Sequence, residues 1–344
     1  MNILVIRFTS MGDVILVTSI FSYLKQRYPE AKIFFLTDAL YAGLFKDDTR
    51  IFQVAGMEKN APGSLPESLS GVVWDRIIDV QNNARSAAIR KRLAPCRVTG
   101  VLKKRHVDRF FLLFCRVNRY PAGDHVALRY IRAASVGDCA LAHRAPPLAL
   151  PLREEESMAV YRSFFSNGVV RPTIALAPFS AWKNKEWPRR NFVDVGQYFH
   201  VKGWNVAIVG GPDDSAAAQR LQEGIGIRCR ALAGQLSLYE NACFLKQCAL
   251  MLGNDTGLSH LARACGVKTG VIFGSTTFHF GFFPFGSPPY KVFQANIGCR
   301  PCHPHGGNFC WLATRPCLNR ISPETVIKGL EQLRTSTVES SLAC

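Results

Sequence analysis

The sequence predicts an α/β protein built from two units, each a parallel sheet covered by helices on both faces. Short apolar runs alternate with amphipathic segments along most of the 344 residues, which is typical of parallel strands joined by crossover helices. A chain of this length exceeds the usual single domain, so two domains with a cleft between them are expected. We place the boundary in residues 144–157, which are proline-rich and then charged, and this gives domains 1–150 and 151–344.

The first half opens with a strand, a turn and a helix. The strand is NILVIRF and the turn is TSMGD. The residues that then fall at helical spacing are Val14, Val17, Thr18, Phe21, Leu24 and Lys25. Pro29 ends this helix. AKIFFLT and VVWDRIIDV are the next predicted strands. Ligands of such sheets bind at the carboxyl ends of the strands, so the first turn is a candidate site.

The alternation restarts in the second half, which predicts another Rossmann-like unit. The predicted strands are TIALAP, WNVAIVGG, ALMLGN and TGVIFGS, and the helices between them are PRRNFVDVGQYFHVKG, DDSAAAQRLQEGI, ENACFLKQC and TGLSHLARACG. No GxGxxG fingerprint follows the first strand, and the sequence contains no GxxxxGK[ST] loop. Simple dehydrogenases and P-loop kinases are therefore disfavoured.

The composition indicates a globular protein of the cytosol. Hydrophobic residues make up 48% of the chain, enough for two buried cores. No run of about 18 uncharged apolar residues is present, and Arg7 and Asp13 interrupt the opening segment where a signal peptide needs an apolar centre. The 12 cysteines are therefore expected to be reduced thiols or metal ligands.

The formal net charge of +17 is concentrated in one basic block. Residues 85–132 contain 13 Lys or Arg against Asp108 and Asp124. Because aromatic and apolar residues are interspersed, the block could face anionic lipid headgroups or a phosphorylated acceptor. A solvated face and a nucleic-acid surface are the alternatives, although no RNA or DNA motif accompanies the block.

A carboxylate follows the first predicted strand. The glycine-containing turn of residues 9–13 sets Asp13 at the start of a helix. There Asp13 could cap the helix or act as a base at the end of the sheet.

A candidate anion site follows the strand ALMLGN. Asp255, Thr256 and Gly257 begin a new helix, and His260 lies one turn further along. We expect the free N–H groups of the helix, the Thr256 hydroxyl and the His260 imidazole to converge on an anion such as phosphate. The alternative is an ordinary helix cap beside a surface histidine.

A lysine loop follows the strand TIALAP. Residues 180–188 read SAWKNKEWP, and Lys185 on this loop could reach a diphosphate while Trp187 and Pro188 fix the entry to the next helix. The alternative is a solvated lysine beside a core tryptophan.

These motifs, in this order, resemble glycosyltransferase family 9, the ADP-heptose:lipopolysaccharide heptosyltransferases. The likeness covers nearly the whole chain. It rests on R-x-T-S-x-G-D at 7–13, K-x-W-P at 185–188, VGGPDD at 209–214, LAGQLSL at 232–238 and GNDTGLSHLA at 253–262.

The resemblance implies a GT-B fold, in which two Rossmann-like domains face each other across a cleft. It implies that residues 1–150 bind the acceptor and residues 151–344 bind the nucleotide-sugar donor. Asp13 would be the general base of a single inverting displacement. Lys185, with Asp255 and its loop, would stabilise the departing diphosphate, so catalysis would need no metal.

The remaining site residues also follow from the resemblance. The donor side would include Ser180, Lys185, Asp255, Thr256, Gly257 and His260. The acceptor side, next to Asp13, would include Thr9, Ser10 and Gly12.

The resemblance implies transfer of heptose from ADP-L-glycero-β-D-manno-heptose to a hydroxyl of the lipopolysaccharide inner core. That acceptor is linked to lipid A at the cytoplasmic face of the inner membrane. Peripheral contact with this membrane is therefore expected, with the basic block holding acceptor phosphates or the lipid surface. Nucleic acid is not an expected partner.

A cysteine-rich segment spans residues 299–317. Cys299 and Cys302 have a C-x2-C spacing, with Cys310 and Cys317 further along. Thiolates suit a structural zinc or iron ion, and a related branch that modifies autotransporter proteins is associated with an iron-binding cysteine cluster. Reduced thiols and a disulfide are the alternatives.

Two other functions remain open at this stage. A relative of the same family could glycosylate a protein, such as an autotransporter, or use another nucleotide sugar. The basic block would also suit a module that binds anionic lipid or nucleic acid without catalysis, although the presence of Asp13 and Lys185 favours an enzyme.

Overall fold

The computed structural model describes residues 1–58, 66–93, 95–96, 98–102, 105–135, 146–165 and 171–336. The chain divides into two compact units. One comprises Met1–Arg105 with Gly123–Pro151, and the other comprises His106–Ala122 with Leu152–Cys344. Residues 106–122 thus group with the second unit, whereas the domain roles assigned to 1–150 and 151–344 stay a prediction.

Eleven strands are present in the described part of the chain. They are β1 (Asn2–Ile6), β2 (Lys32–Asp38), β3 (Gln53–Met57), β4 (Arg76–Asp79), β5 (Val98–Val101), β6 (Thr173–Ala177), β7 (Asn205–Ile208), β8 (Cys229–Ala231), β9 (Leu250–Asn254), β10 (Lys268–Phe273) and β11 (Tyr290–Gln294).

The α-helices differ widely in length. They are α1 (Met11–Leu16), α2 (Thr18–Arg27), α3 (Ala39–Ala42), α4 (Ala84–Arg92), α5 (His106–Phe110), α6 (Val126–Ser135), α7 (Glu154–Phe164), α8 (Arg189–Val201), α9 (Ser215–Ile225), α10 (Leu238–Lys246), α11 (Gly257–Ala264), α12 (Pro316–Asn319) and α13 (Pro323–Thr335). A π-helical turn, Phe111–Cys115, continues α5, and a 3₁₀ turn covers Lys183–Lys185.

The first unit contains a parallel sheet with the strand order β3-β2-β1-β4-β5. The apolar run of β1 is buried and central, and Ile6 lies opposite Leu36 of β2 and Asp79 of β4. The order of the strands reverses between β1 and β4. The loops that follow these two strands therefore begin at the position where α/β sheets form a ligand crevice.

The second unit repeats this plan with one more strand, in the order β11-β10-β9-β6-β7-β8. All pairs in the sheet are parallel. Here the order reverses between β6 and β9, so the loops after Ala177 and Asn254 begin at the corresponding crevice. The prediction of an α/β fold with two Rossmann-like units is confirmed.

Each sheet carries its own apolar core. In the second unit, residues of α8, α9 and α13 pack on the sheet around Trp187, Phe192 and Phe199, which are almost fully buried. In the first unit, Phe34 and Trp74 pack edge to face with ring centroids 5.0 Å apart. Each unit therefore has an apolar core of the kind expected for a domain.

Two details differ from the sequence prediction. The single helix expected from Val14 to Lys25 is two helices, because Val17 separates α1 from α2. The four edge strands β3, β5, β8 and β11 were not predicted. Of the helices that the structure describes, none is long and apolar enough to cross a membrane.

Candidate active site

Asp13 lies at the carboxyl end of the central strand β1. Four residues separate the end of β1 from the start of α1, and Asp13 is the third residue of that helix. The backbone N–H and the hydroxyl of Ser10 donate to its Oδ2 atom over 3.4 and 3.1 Å. Asp13 therefore does take part in capping the helix, as one sequence interpretation proposed.

Two stronger partners fix the carboxylate of Asp13. Arg7 Nη2 lies 2.7 Å from Oδ2, and the buried hydroxyl of Tyr130 donates to Oδ1 over 2.6 Å. Arg7 is itself held by a bond from Nη1 to the carbonyl of Val80. The Asp13 side chain still keeps 14% of its exposure. Both oxygens are thus held in a fixed orientation, and a ligand can still reach the carboxylate. Each oxygen can accept more than one hydrogen bond, so a further donor can bind there.

The ionisation of these partners follows from burial and charge. Burial, and then the negative charge of Asp13, raise the pKa of Tyr130 well above its usual value, so its hydroxyl keeps its proton. Burial opposes the charge of Arg7, but the pKa of the guanidinium is still raised, with the negative charge of Asp13 and the hydrogen bond to its carboxylate among the causes. At neutral pH the carboxylate is therefore flanked by a neutral donor and a cation.

The loop after β4 supports the turn that carries Asp13. Gln81 Oε1 accepts from the backbone N–H groups of Phe8 and Thr9, over 3.0 and 3.3 Å. Asp79, fully buried at the end of β4, in turn accepts from the N–H groups of Gln81 and Asn82. Two neighbouring strands therefore fix the backbone before Asp13 jointly.

The predicted acceptor-side residues lie on this turn. Thr9 and Ser10 are exposed, and Gly12 is buried in α1. Thr9 and Ser10 are the members of this group that a ligand can reach.

In the second unit, Lys185 and Asp255 form a close ion pair. Lys185 Nζ lies 2.7 Å from Asp255 Oδ2, and the two side chains keep 12% and 9% of their exposure. Thr276, after β10, donates its hydroxyl to the same oxygen over 2.8 Å. The loops after β6, β9 and β10 thus meet at the crevice of this sheet. The sequence analysis treated the lysine loop and the motif at Asp255 as two separate candidates, and the structure brings them together.

Hydrogen bonds from neighbouring loops place the lysine loop. The N–H of Trp187 donates to Asn254 Oδ1, and Asn254 Nδ2 donates to the carbonyl of Pro178. Asn184, buried next to Lys185, exchanges two bonds with Gly307, whose N–H donates to its side chain and whose carbonyl accepts from its N–H. The cysteine-rich segment therefore supports the loop that carries Lys185.

The remaining donor-side residues lie on or near the same crevice. Thr256 precedes α11, and its Oγ1 atom is buried without a hydrogen-bond partner in the described structure. Gly257 begins the helix, and the buried His260 lies one turn further along it. Ser180, partly exposed, accepts from the N–H of Trp182.

Part of the basic block forms ion pairs within the protein. Asp124 is 5% exposed and pairs with Arg105, Arg129 and Arg132 at 2.9 to 3.0 Å. Residues 94, 97, 103 and 104 of the block lie outside the described residues. Three arginines of the block thus share one buried carboxylate, and the role of the block towards lipid or acceptor phosphates stays a prediction.

The candidate metal site at Cys299, Cys302, Cys310 and Cys317 is not supported by the structure. All four are described as free thiols, and the described residues contain no group of three or more His, Cys, Asp or Glu placed to hold a metal ion. Burial, and then the charges of neighbouring cysteines, raise the pKa of Cys302 and bring that of Cys317 to about 11. Burial and the neighbouring cysteines therefore make these two thiols harder to ionise.

Comparison with known proteins identifies the family. The family model described as glycosyltransferase family 9 (heptosyltransferase) matches residues 63–308, well over half of the chain. The chain belongs to this family. As a family 9 protein with two Rossmann-like units, it has the GT-B fold.

Relatives of known function support the assignment. Lipopolysaccharide heptosyltransferase 2 of Salmonella typhimurium is 26% identical over 283 residues, which cover 77% of this chain and 80% of that protein. Among solved structures, Escherichia coli ADP-heptose lps heptosyltransferase II is similar with a TM-score of 0.76 and 24% identity, covering 97% of this chain and 98% of that one. This family 9 chain is thus a glycosyltransferase of the heptosyltransferase family.

A more distant structure bears on the cysteine-rich segment. The iron-containing dodecameric glycosyltransferase TibC of enterotoxigenic E. coli H10407 is similar with a TM-score of 0.60 and 14% identity, covering 98% of this chain and 77% of that chain. At this identity the likeness shows the fold alone. It does not transfer iron to the present family 9 chain.

Proposed function

We propose that the protein transfers heptose from ADP-L-glycero-β-D-manno-heptose to a hydroxyl of the lipopolysaccharide inner core, in a single inverting step. Relatives named as lipopolysaccharide heptosyltransferases support the sugar and the acceptor class. A related structure named as an ADP-heptose enzyme, and another of the E. coli heptosyltransferase WaaC with ADP, support the nucleotide.

The observation that carries this proposal is the clamped carboxylate of Asp13. Arg7 and Tyr130 fix its two oxygens at the end of β1, and 14% of the side chain remains exposed. As the acceptor oxygen attacks the anomeric carbon, Asp13 takes the hydroxyl proton and the bond from that carbon to the diphosphate breaks. Thr9 and Ser10, exposed on the same turn, would contact the acceptor, and Gly12 would give the turn its shape.

The leaving diphosphate would be stabilised in the second unit. Lys185 supplies a cation, and the start of α11 supplies backbone N–H groups at Gly257 together with the buried Thr256 hydroxyl. Ser180 and His260 would complete the contacts to donor phosphate or sugar. In this scheme Lys185 and the N–H groups of α11 stabilise the negative charge of the diphosphate in place of a divalent metal ion. The proposed reaction therefore needs no metal ion.

The ion pair with Asp255 gives Lys185 a defined resting position. A diphosphate entering the crevice would compete with Asp255 for the ammonium group, which lies 2.7 Å from the carboxylate. Because Thr276 also donates to Asp255, that carboxylate keeps one partner when the lysine turns to the donor. Asp255 would thus hold the lysine loop in place before the donor binds.

The proposed acceptor is linked to lipid, so we place the enzyme at the cytoplasmic face of the inner membrane. Arginines of the basic block that do not pair with Asp124, such as the exposed Arg116 and Arg119, are candidates for its phosphates or for the lipid surface.

The proposal is tested with the full chain, ADP-heptose and a set of truncated core saccharides, followed by mass spectrometry of the products. Asp13→Asn should lower turnover by about 10²- to 10⁴-fold, the range for general base catalysis, while ADP still raises the melting temperature. The matched control is Asp194→Asn, an exposed carboxylate on α8, which should keep full turnover. If Asp13→Asn keeps its turnover, Asp13 is not the general base. If UDP or GDP raises the melting temperature and ADP does not, the donor is not an ADP-sugar.

A further inference from the structure

Exposed apolar side chains are concentrated in two short segments of the second unit. Fourteen large apolar side chains are exposed in the described structure, and seven of them lie in residues 107–117 and 309–312. We call these seven the aromatic face: Val107, Phe110, Phe114, Val117, Phe309, Trp311 and Leu312. Single exposed apolar residues are ordinary, but clusters of them mark interaction surfaces.

The first segment is a helix with one packed and one uncovered side. Leu112 is 5% exposed and packs with Tyr120 and Phe280. Phe110 and Phe114, four residues apart on α5 and the π-helical turn, are 53% and 73% exposed, with ring centroids 5.1 Å apart. The uncovered rings are thus held in place by a helix that is anchored on its other side.

The second segment is the tip of the cysteine-rich loop. Phe309 and Trp311 are 70% and 88% exposed, with ring centroids 5.3 Å apart. The base of this loop is fixed, because Gly307 exchanges two hydrogen bonds with the buried Asn184. A tryptophan that is almost fully exposed on an anchored loop indicates a surface that binds a membrane or another molecule.

Contacts between the two segments make them parts of one surface. Arg109 Nη1 lies 3.3 Å from His305 Nε2, and Arg116 donates to the carbonyl of Pro301. Phe110 is next to Arg109 in the chain, and Phe309 follows His305 by four residues. Both pairs of rings therefore project from the same region of the second unit.

The charge around these rings selects the partner. Residues 106–122 and 299–315 contain five arginines and one acidic residue, Asp108. Two copies of the chain that met through this region would place these like charges against each other. An anionic bilayer instead attracts them, and aromatic side chains prefer the layer between headgroups and acyl chains.

We propose that the aromatic face is the surface with which this protein docks on a bilayer containing anionic lipid. Phe110, Phe114, Phe309 and Trp311 insert between the headgroups, and the neighbouring arginines bind the phosphates. The inference rests on the proposed membrane location and identifies the part of the chain responsible for it. Because Gly307 joins the loop to Asn184, docking would occur next to the loop of the donor lysine.

The test is sedimentation of the full chain with phosphatidylcholine vesicles, with or without phosphatidylglycerol, and without donor or acceptor. The unchanged chain should bind the anionic vesicles. The double variant Phe114→Ser with Trp311→Ser should bind them about tenfold more weakly, a change of about 1.4 kcal/mol. The matched control, Val201→Ser with Ile227→Ser, removes two apolar side chains that are each 82% exposed elsewhere in the unit and should bind normally.

Fluorescence gives a second readout. Trp311 emission should shift to shorter wavelength on anionic vesicles, whereas Trp311→Phe should lose the shift and keep binding. Equal sedimentation of the unchanged chain and the Phe114/Trp311 variant would overturn the proposal, and so would a dimer in solution that the variant abolishes. Donor binding, followed by the rise in melting temperature with ADP, should be the same in all variants, so a failure of docking is distinguishable from a failure of the proposed transfer.

Discussion

The ion pair between Lys185 and Asp255 allows a sharp thermodynamic prediction. Removing one partner of a fully buried pair costs about 3–5 kcal/mol, because the other charge is left uncompensated. The two side chains here keep 12% and 9% of their exposure, so some water reaches them. We therefore expect Asp255→Asn to lower the free energy of unfolding by about 2–3 kcal/mol without donor.

The effect should appear in the melting temperature of the second unit. At about 2–4 °C per kcal/mol for a domain of this size, the loss corresponds to a fall of about 4–12 °C. The melting temperature of the Lys185→Met variant should fall by a similar amount. The double variant, which leaves no lone charge, should recover much of the loss, so the two single effects should not add.

The assay is differential scanning calorimetry with urea unfolding as a cross-check, on all four members of the cycle. The matched control is Lys202→Met, which breaks an exposed ion pair with Glu331 of 3.2 Å and should leave the midpoint close to that of the unchanged chain. Additive single effects, or an Asp255→Asn variant as stable as the unchanged chain, would refute the reasoning.

Two further predictions concern residues that position the site. Tyr130→Phe keeps the buried ring but removes the hydroxyl that donates to Asp13 over 2.6 Å, so kcat should fall by about tenfold or more, since hydrogen bonds to charged groups contribute about 1.5–3 kcal/mol. The KM for the donor should not change. The control is Tyr198→Phe, which removes a hydroxyl that donates to Glu331; an equal fall of kcat in this variant would show that the loss does not depend on the bond to Asp13. Gly306→Ala should weaken ADP binding in calorimetric titration, because its φ is +102° and its new Cβ would lie 2.6 Å from Lys185 Cδ. Gly298→Ala, just before the cysteine-rich segment, meets nothing within 4 Å, and equal affinities of the two variants would contradict this account.

The sequence was sufficient to predict the central strands but not the edge strands. β1, β6 and β9 are continuous apolar runs, since both faces of a central parallel strand are buried. β11 buries only one of its five residues, and β8 is three residues long. Such edge strands lack the apolar run on which the prediction depends, so pairing with a neighbour reveals them and periodicity does not.

The same limit applies to the candidate site. Asp13, Lys185 and Asp255 lie in the segments that connect a strand to the next long helix, so their placement at the sheet ends could be predicted from local pattern. Tyr130 is 117 residues from Asp13 along the chain, and no local signal joins them. Thr276 was missed for the same reason, because only the parallel register of β9 and β10 brings it to Asp255.

The spacing of the cysteines in the cysteine-rich segment did not predict what the segment does in the structure. C-x2-C at Cys299 and Cys302 suggested a metal, yet part of what this segment contributes is backbone, through the N–H of Gly307 and the carbonyl of Phe309 to Asn184. Backbone partners leave no trace in side-chain composition. Sequence motifs therefore did not reveal this support of the lysine loop.

The bonding of Asn184 has a consequence for protein engineering. Transplanting only the loop of residues 180–188 into a relative, in order to exchange donor preference, would separate Asn184 from its partners Ser275 and Gly307, which lie about 90 and 120 residues away in the chain. A chimera should therefore exchange the three segments together, as one cassette. Directed-evolution libraries that randomise the stretch alone would mostly sample misassembled loops.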